Sequence, residues 1–167
     1  MRIAVPTFLI ISLLGLDPSA ADVKVAQAEG VDLASYRSYA WGPGTPAARP
    51  EIQQAIVAAV DRELQSKGLR RVDQEADLLV VSVAYAEMST AITGGYLNLD
   101  TVGVGVIRAD VVDSTTGHLM LDLIDPRSSK PIWRSIASEP VSGNDVKKVL
   151  KKVDKIVRKM LEGFPSP

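Results

Sequence analysis

The chain has 167 residues, a formal net charge of −1 and no cysteine. That length suits a single domain. The missing thiols exclude disulfides, a cysteine nucleophile, zinc sites built with cysteine and a lipid attached through an N-terminal cysteine. Charge is unevenly spread: residues 144–162 hold seven Lys or Arg against three acids, whereas residues 22–143 hold eleven against sixteen.

The opening "MRIAVPTFLIISLLGLDPSAAD" has Arg2, an apolar run from Ile3 to Leu16 and then small residues. Ser19-Ala20-Ala21 fits a signal peptidase site, so residues 1–21 are expected to be a signal peptide cleaved after Ala21. The apolar run, broken by Pro6, falls short of the ~20 residues that span a bilayer. The expected product is an exported, periplasmic domain of residues 22–167 without a lipid anchor. Nucleic acid is not an expected partner there.

"DVKVAQA" predicts a strand over Val23–Ala28 by alternation, and Asp32 can cap a short helical turn. Ser38–Trp41 reads as a second strand ended by "GPGTP". Pro50 suits the first position of a helix, where its missing N–H costs nothing. Ile52, Ala55, Ile56, Ala59, Val60 and Leu64 then fall on one helical face. Gly68 supplies the C-terminal stop, and Leu69 can fold back on the last turn.

"LRRV" suggests a short strand. Leu78–Met88 is apolar in both alternations, which predicts a central strand covered on both faces. Ser89–Gly105 reads as irregular, either a disordered segment or a candidate binding loop formed by Gly94, Gly95, Tyr96, Gly103 and Gly105. "VGVIRADVV" is a weaker strand. Then "GHLMLDLIDPRSSKPIWRS" reads as strand, turn, strand. Leu119, Leu121 and Leu123 share one face, with Trp133, Ser135 and Ala137 aligned on the return strand and Ile132, Arg134 and Ile136 opposite. Asp125-Pro126 suits the turn, and Asp122 can pair across the hairpin with Arg134. A closing helix from about Asn144 to Leu161 carries Val146, Val149, Leu150, Val153, Ile156, Val157 and Met160 as one stripe.

These elements predict an α+β domain, with a mostly antiparallel or mixed sheet and two amphipathic helices packed on one face.

The hairpin also resembles a family signature. Gly117, Leu119, Asp122, Asp125, Lys130, Trp133 and Arg134 occupy the spacing of the bacterial domain-of-unknown-function 4136 family. "VDLASYRSYAW", "LQSKGLRRVDQEADLLV" and "KIVRKMLEGFP" resemble three further family segments in the same order. The resemblance implies an exported envelope protein of a kind that is often a lipoprotein, with no established activity and no catalytic residues to carry over. The absence of a lipid-bearing cysteine departs from that pattern and favours a soluble periplasmic form.

Candidate chemistry is sparse. His118 is the only histidine. A Ser-His-Asp reading would recruit a nearby serine with Asp122 or Asp113, but no nucleophile elbow or Ser-x-x-Lys pattern accompanies it, so an ordinary surface histidine is expected. Asp122 and Asp125 point to opposite faces of a strand, which argues against joint acid–base work. "VGVGVIR" lacks the third glycine and the helix of a dinucleotide loop. No cofactor or metal site is expected. Lys148, Lys151, Lys152 and Lys155 could touch an anionic surface; a solvated helix face is the preferred reading. The sequence therefore favours a non-enzymatic envelope protein, a binding or assembly accessory with an unidentified envelope partner or ligand. The alternative is a carboxylate-dependent hydrolase acting on an envelope polymer.

Overall fold

Two periodicities organise the chain. Period-two segments form one sheet, and the two 3.6-period segments cover one face of it. The computed structural model describes residues 8–11, 21–97, 106–141 and 145–167. The strands are β1 (Phe8–Ile11), β2 (Asp22–Ala28), β3 (Ser38–Trp41), β4 (Arg70–Arg71), β5 (Leu78–Leu97), β6 (Val106–Asp125) and β7 (Lys130–Val141). Helix α1 spans Pro50–Ser66 and α2 spans Val146–Leu161. The sheet order is β1-β2-β7-β6-β5-β3-β4. β3 runs parallel to β5 and β4, and all other pairs are antiparallel. This is the mixed α+β architecture expected. β1 lies within the segment expected to be cleaved; without it, β2 would form that edge of the sheet.

Local chemistry sets the element ends. Asp32 accepts a hydrogen bond from the Ala34 amide and caps the short turn Leu33–Ser35. Pro50 opens α1. Gly68 closes it at φ 94°, a left-handed conformation that disfavours other residues, and the Leu69 amide reaches back to the Leu64 carbonyl at 3.0 Å. α2 starts at Val146 with Asp145 as its cap; the anticipated first residue, Asn144, lies outside the described residues. β3 ends at Trp41, where "GPGTP" was expected to end it, but the chain does not leave the sheet there. Its backbone follows β5, with the Gly42 amide on the Val80 carbonyl (2.8 Å) and the Thr45 amide on the Ser82 carbonyl (3.0 Å). A Cβ on Gly44 would collide with the Ser82 carbonyl oxygen, so this close approach requires glycine.

The core lies between the helices and one sheet face. Register aligns Val80, Leu123 and Trp133 in one row, then Ser82, Leu121 and Ser135, then Ala84, Leu119 and Ala137, then Ala86, Gly117 and Glu139. Ile56, Val60 and Leu64 of α1 and Val153, Val157, Met160 and Leu161 of α2 pack on these rows. Arg62 pairs with Asp154 at 2.6 Å and Arg158 with Glu63 at 3.3 Å, linking the two helices at the surface.

Three expectations are corrected. β5 is central in the sheet, but helices cover only its Leu78, Val80 and Ser82 side; Leu79, Val81 and Val83 are half-buried among neighbours on the open face. Ile132 was expected opposite Trp133, yet it is buried with it. A register shift at Leu123–Ile124 sets Trp133 opposite Leu123 and Pro131 opposite Ile124, and the extra residue joins the core. Of the Ser89–Gly105 segment, expected to be irregular, Ser89–Leu97 are strand. β5 continues through Leu97, placing Gly94 opposite Ala109, Gly95 opposite Arg108 and Tyr96 opposite Ile107. Gly103 and Gly105 lie outside the described residues.

Candidate functional site

The residues that carry the family resemblance are engaged in holding the fold. Trp133 is 2% exposed. Its Nε1 donates to the Met160 carbonyl at 3.1 Å, and its ring meets Phe164 edge to face at 5.6 Å. The Asp122 side chain is buried, and both its oxygens accept from the Arg134 guanidinium, at 2.7 and 2.6 Å, as the cross-strand pairing anticipated. Asp125 accepts from the Arg127 amide at 2.9 Å inside the turn. Burial works against the charge of Asp125, but that amide and the Arg127 guanidinium outweigh it and hold the carboxyl below its ordinary pKa.

A second cluster was not legible in the sequence. Asp61 on α1 accepts from Tyr39 Oη at 2.9 Å, Trp41 Nε1 at 3.0 Å and Arg71 at 2.6 Å, so one carboxylate joins α1 to β3 and β4. Burial is the main reason that the Tyr39 hydroxyl is pushed up to about 12. Asp77 accepts from the Arg37 amide, the Ser38 amide and the Ser38 hydroxyl, each at 2.9 Å. The Arg37 amide leads in lowering its pKa, against the effect of burial.

His118 is not the freely exposed residue expected. It is half-buried on the open sheet face and stacked on Tyr85 at 4.7 Å, with Nδ1 3.0 Å from Ser138 Oγ and Nε2 3.5 Å from Glu87. Its neighbours are therefore not Asp122, which Arg134 holds, nor Asp113, which accepts from Thr90. The surrounding β5, β6 and β7 backbone is engaged in the sheet ladder. Among the described residues no group of three or more His, Asp or Glu is arranged to hold a metal.

A concave feature lies at one end of the helix-covered face. Along the rows towards Ala86 and Gly117 the sheet residues become small, while α1 and α2 begin above them. A groove of about 380 Å³ results. Its floor is Ala84, Ala86, Gly117 and Ala137, and its walls include Ile52 and Ile56 from α1 and Val149, Val153 and Ile156 from α2. Small side chains keep the floor of the groove low beneath the helix N-termini.

Charged residues ring the mouth. Lys152 pairs with Glu139, and Lys148 lies 3.7 Å from Asp145. Arg49 is the N-cap of α1 and makes no side-chain cap. The sequence pointed to Lys148, Lys151, Lys152 and Lys155 as a surface; the structure brings Lys148 and Lys152 to the groove and leaves Lys151 and Lys155 outside its lining. The groove itself was missed because it arises from three strands in register, which no local pattern reveals.

Fold and site together define a two-layer α+β domain with an apolar groove under its helix N-termini. The family profile described as "Domain of unknown function (DUF4136)" matches residues 23–166, and the chain belongs to that family. No curated protein is detectably similar in sequence. Among solved structures, the chain is similar to a PDZ domain protein from Parabacteroides distasonis at 14% identity and TM-score 0.58, covering 88% of this chain but only 36% of that one. It is also similar to PelC, crystallised as a dodecamer, from Paraburkholderia phytofirmans, at 10% identity and TM-score 0.55 over 88% of this chain and 99% of that one. At such identities the likeness establishes a shared fold.

Proposed function

We propose that this protein is a non-enzymatic binding accessory of the cell envelope, and that the groove between α1, α2 and the sheet is its binding site. The observation that carries this reading is an apolar cavity of about 380 Å³ with charged residues at its mouth, within the size range of small-molecule sites. The signal-peptide-like leader supports an envelope location. The carboxylates do not favour the hydrolase alternative: Asp122 is held by Arg134, and Asp125 is committed to its turn.

Filling the groove tests the reading. A Cβ at Gly117 would meet only ordinary contacts, at 3.6 and 3.8 Å, so Gly117→Val with Ala86→Leu should occupy the floor and leave the fold intact. The wild type should enhance the fluorescence of the apolar probe N-phenyl-1-naphthylamine, and the double variant should not. Equal enhancement by both would reject the groove as the site. For location, fractionation should recover a periplasmic chain beginning at Asp22; an uncleaved chain in the inner membrane would contradict export.

Self-assembly is a second reading, favoured by one observation. Beyond Thr115 with Val141, the last β6–β7 pair among the described residues, β5 and β6 stay paired from Ser89–Ser114 to Leu97–Val106 as an arm that is two-stranded among those residues. Met88 at its base is 85% exposed and Val112 on it 49%. A two-stranded ribbon is marginal alone, and the dodecameric PelC shares the fold. Light scattering should then report an oligomer; a monomer at all concentrations would remove this reading.

A further inference from the structure

We propose that the groove takes a single-chain fatty carboxylate, its hydrocarbon laid over Ala84, Gly117 and Ala137 and its carboxylate at Arg49. This rests on the binding reading above and adds the ligand class and its orientation.

Three observations at the groove agree. The interior is hydrocarbon-like: its walls and floor are supplied by Ile, Val and Ala side chains with Gly117, so the buried part of a ligand must itself be apolar. At the mouth the charges are complementary to an anion. Lys152 is matched by Glu139 and Lys148 by Asp145, whereas the Arg49 guanidinium has no hydrogen-bond or ion-pair partner among the described residues, leaving one positive charge unmatched. A planar guanidinium also matches a carboxylate in two parallel hydrogen bonds. Finally, α1 and α2 both present their N-terminal ends to this mouth. α2 already has Asp145 as an anionic cap, but α1 has no side-chain cap, so its partial positive charge also favours an anion at Arg49.

The groove suits a single chain better than a large headgroup. The mouth lies between residues 47–49 and the first turn of α2, and the Lys152–Glu139 pair ties α2 to β7 at its rim.

The test is calorimetric titration of the full chain, below micelle formation, with decanoate, dodecanoate and tetradecanoate. Parallel arms use dodecanol, dodecyltrimethylammonium and 1-lauroyl lysophosphatidylglycerol. Affinity should rise about fourfold per methylene buried. Dodecanoate should bind more tightly than the alcohol, the cation or the lysophospholipid. Arg49→Gln should weaken dodecanoate about tenfold and leave dodecanol unchanged, while Arg49→Lys should restore part of the loss.

Equal binding of dodecanoate and dodecyltrimethylammonium would overturn the carboxylate assignment and leave the groove standing. Tighter binding of the lysophospholipid would overturn the choice of a free carboxylate. Failure of every chain to bind would overturn both this proposal and the groove on which it rests.

Discussion

The two ends of the helix-covered sheet face are built from the same strands and differ mainly in side-chain size. At one end Val80, Leu123 and Trp133 form a row of large residues, closed by Phe164 and Met160. At the other, two rows along, Ala84 and Ala137 flank Leu119, and beyond them Ala86 and Gly117 line the groove under the helix N-termini. The closed end contains Trp133, and the Asp122–Arg134 pair backs the same strands on their opposite face; with Asp125 these residues carry the family resemblance. Of the residues in that hairpin signature, the open end is lined by Gly117 and Leu119 alone. A signature of this kind specifies a scaffold, and the room for a ligand is made where it thins out.

The largest expected effect is at the closed end. Trp133→Ala would remove the ring packed on Phe164 and strand the Met160 carbonyl. It should cost about 3–5 kcal/mol, a large share of a typical domain's 5–15 kcal/mol. Urea denaturation would show it, and an unchanged midpoint would contradict the structural role of this residue.

Asp61→Ala should follow, at about 2–3 kcal/mol, because Tyr39 Oη, Trp41 Nε1 and Arg71 lose their shared acceptor. The nearby Asp77 gives a pH test. Its folded pKa is lowered, so its contribution is present above the unfolded value of about 3.9 and is lost as pH falls through the lower folded value. The stability gap between wild type and Asp77→Asn should be constant near neutrality and narrow below about pH 4. A gap that widens on acidification would reverse the assignment.

The groove variant Ala86→Leu with Gly117→Val should change stability by no more than about 1 kcal/mol while abolishing probe binding. A collapse in stability would mean that the open end is as tightly specified as the closed one. The smallest effect is expected on the basic face of α2. Replacing Lys148, Lys151, Lys152 and Lys155 by Gln should leave the fold intact, and the wild type should bind anionic vesicles only weakly. Strong vesicle binding that vanishes at high salt, where the Debye length falls to about 3 Å at 1 M, would instead make this face functional.

The difference between the two ends also explains what was legible in the sequence. The closed end depends on alternation, helical periodicity and local caps, so the Trp133 hairpin, the Pro50 and Gly68 helix ends, the Asp32 cap and the Asp122–Arg134 pair could all be anticipated. What could not be read is non-local. Asp61 joins α1 to strands on both sides of it in sequence. Ile132 depends on a bulge that alternation does not announce. Gly94 and Gly95 resemble loop residues until the opposite strand is known to pair with them. The groove needs the register of three strands at once, which no local pattern in the sequence announces.

The central claim is that binding belongs to the open end and stability to the closed end. It is tested most directly by following backbone amide signals in a heteronuclear NMR titration with dodecanoate. The account predicts shifts confined to residues 47–56, 84–86, 117–119, 137–139 and 146–156, with the Trp133 indole and Phe164 signals unmoved. Shifts centred on Trp133 and Phe164, or on His118, Tyr85 and Ser138 of the open sheet face without the groove, would contradict it.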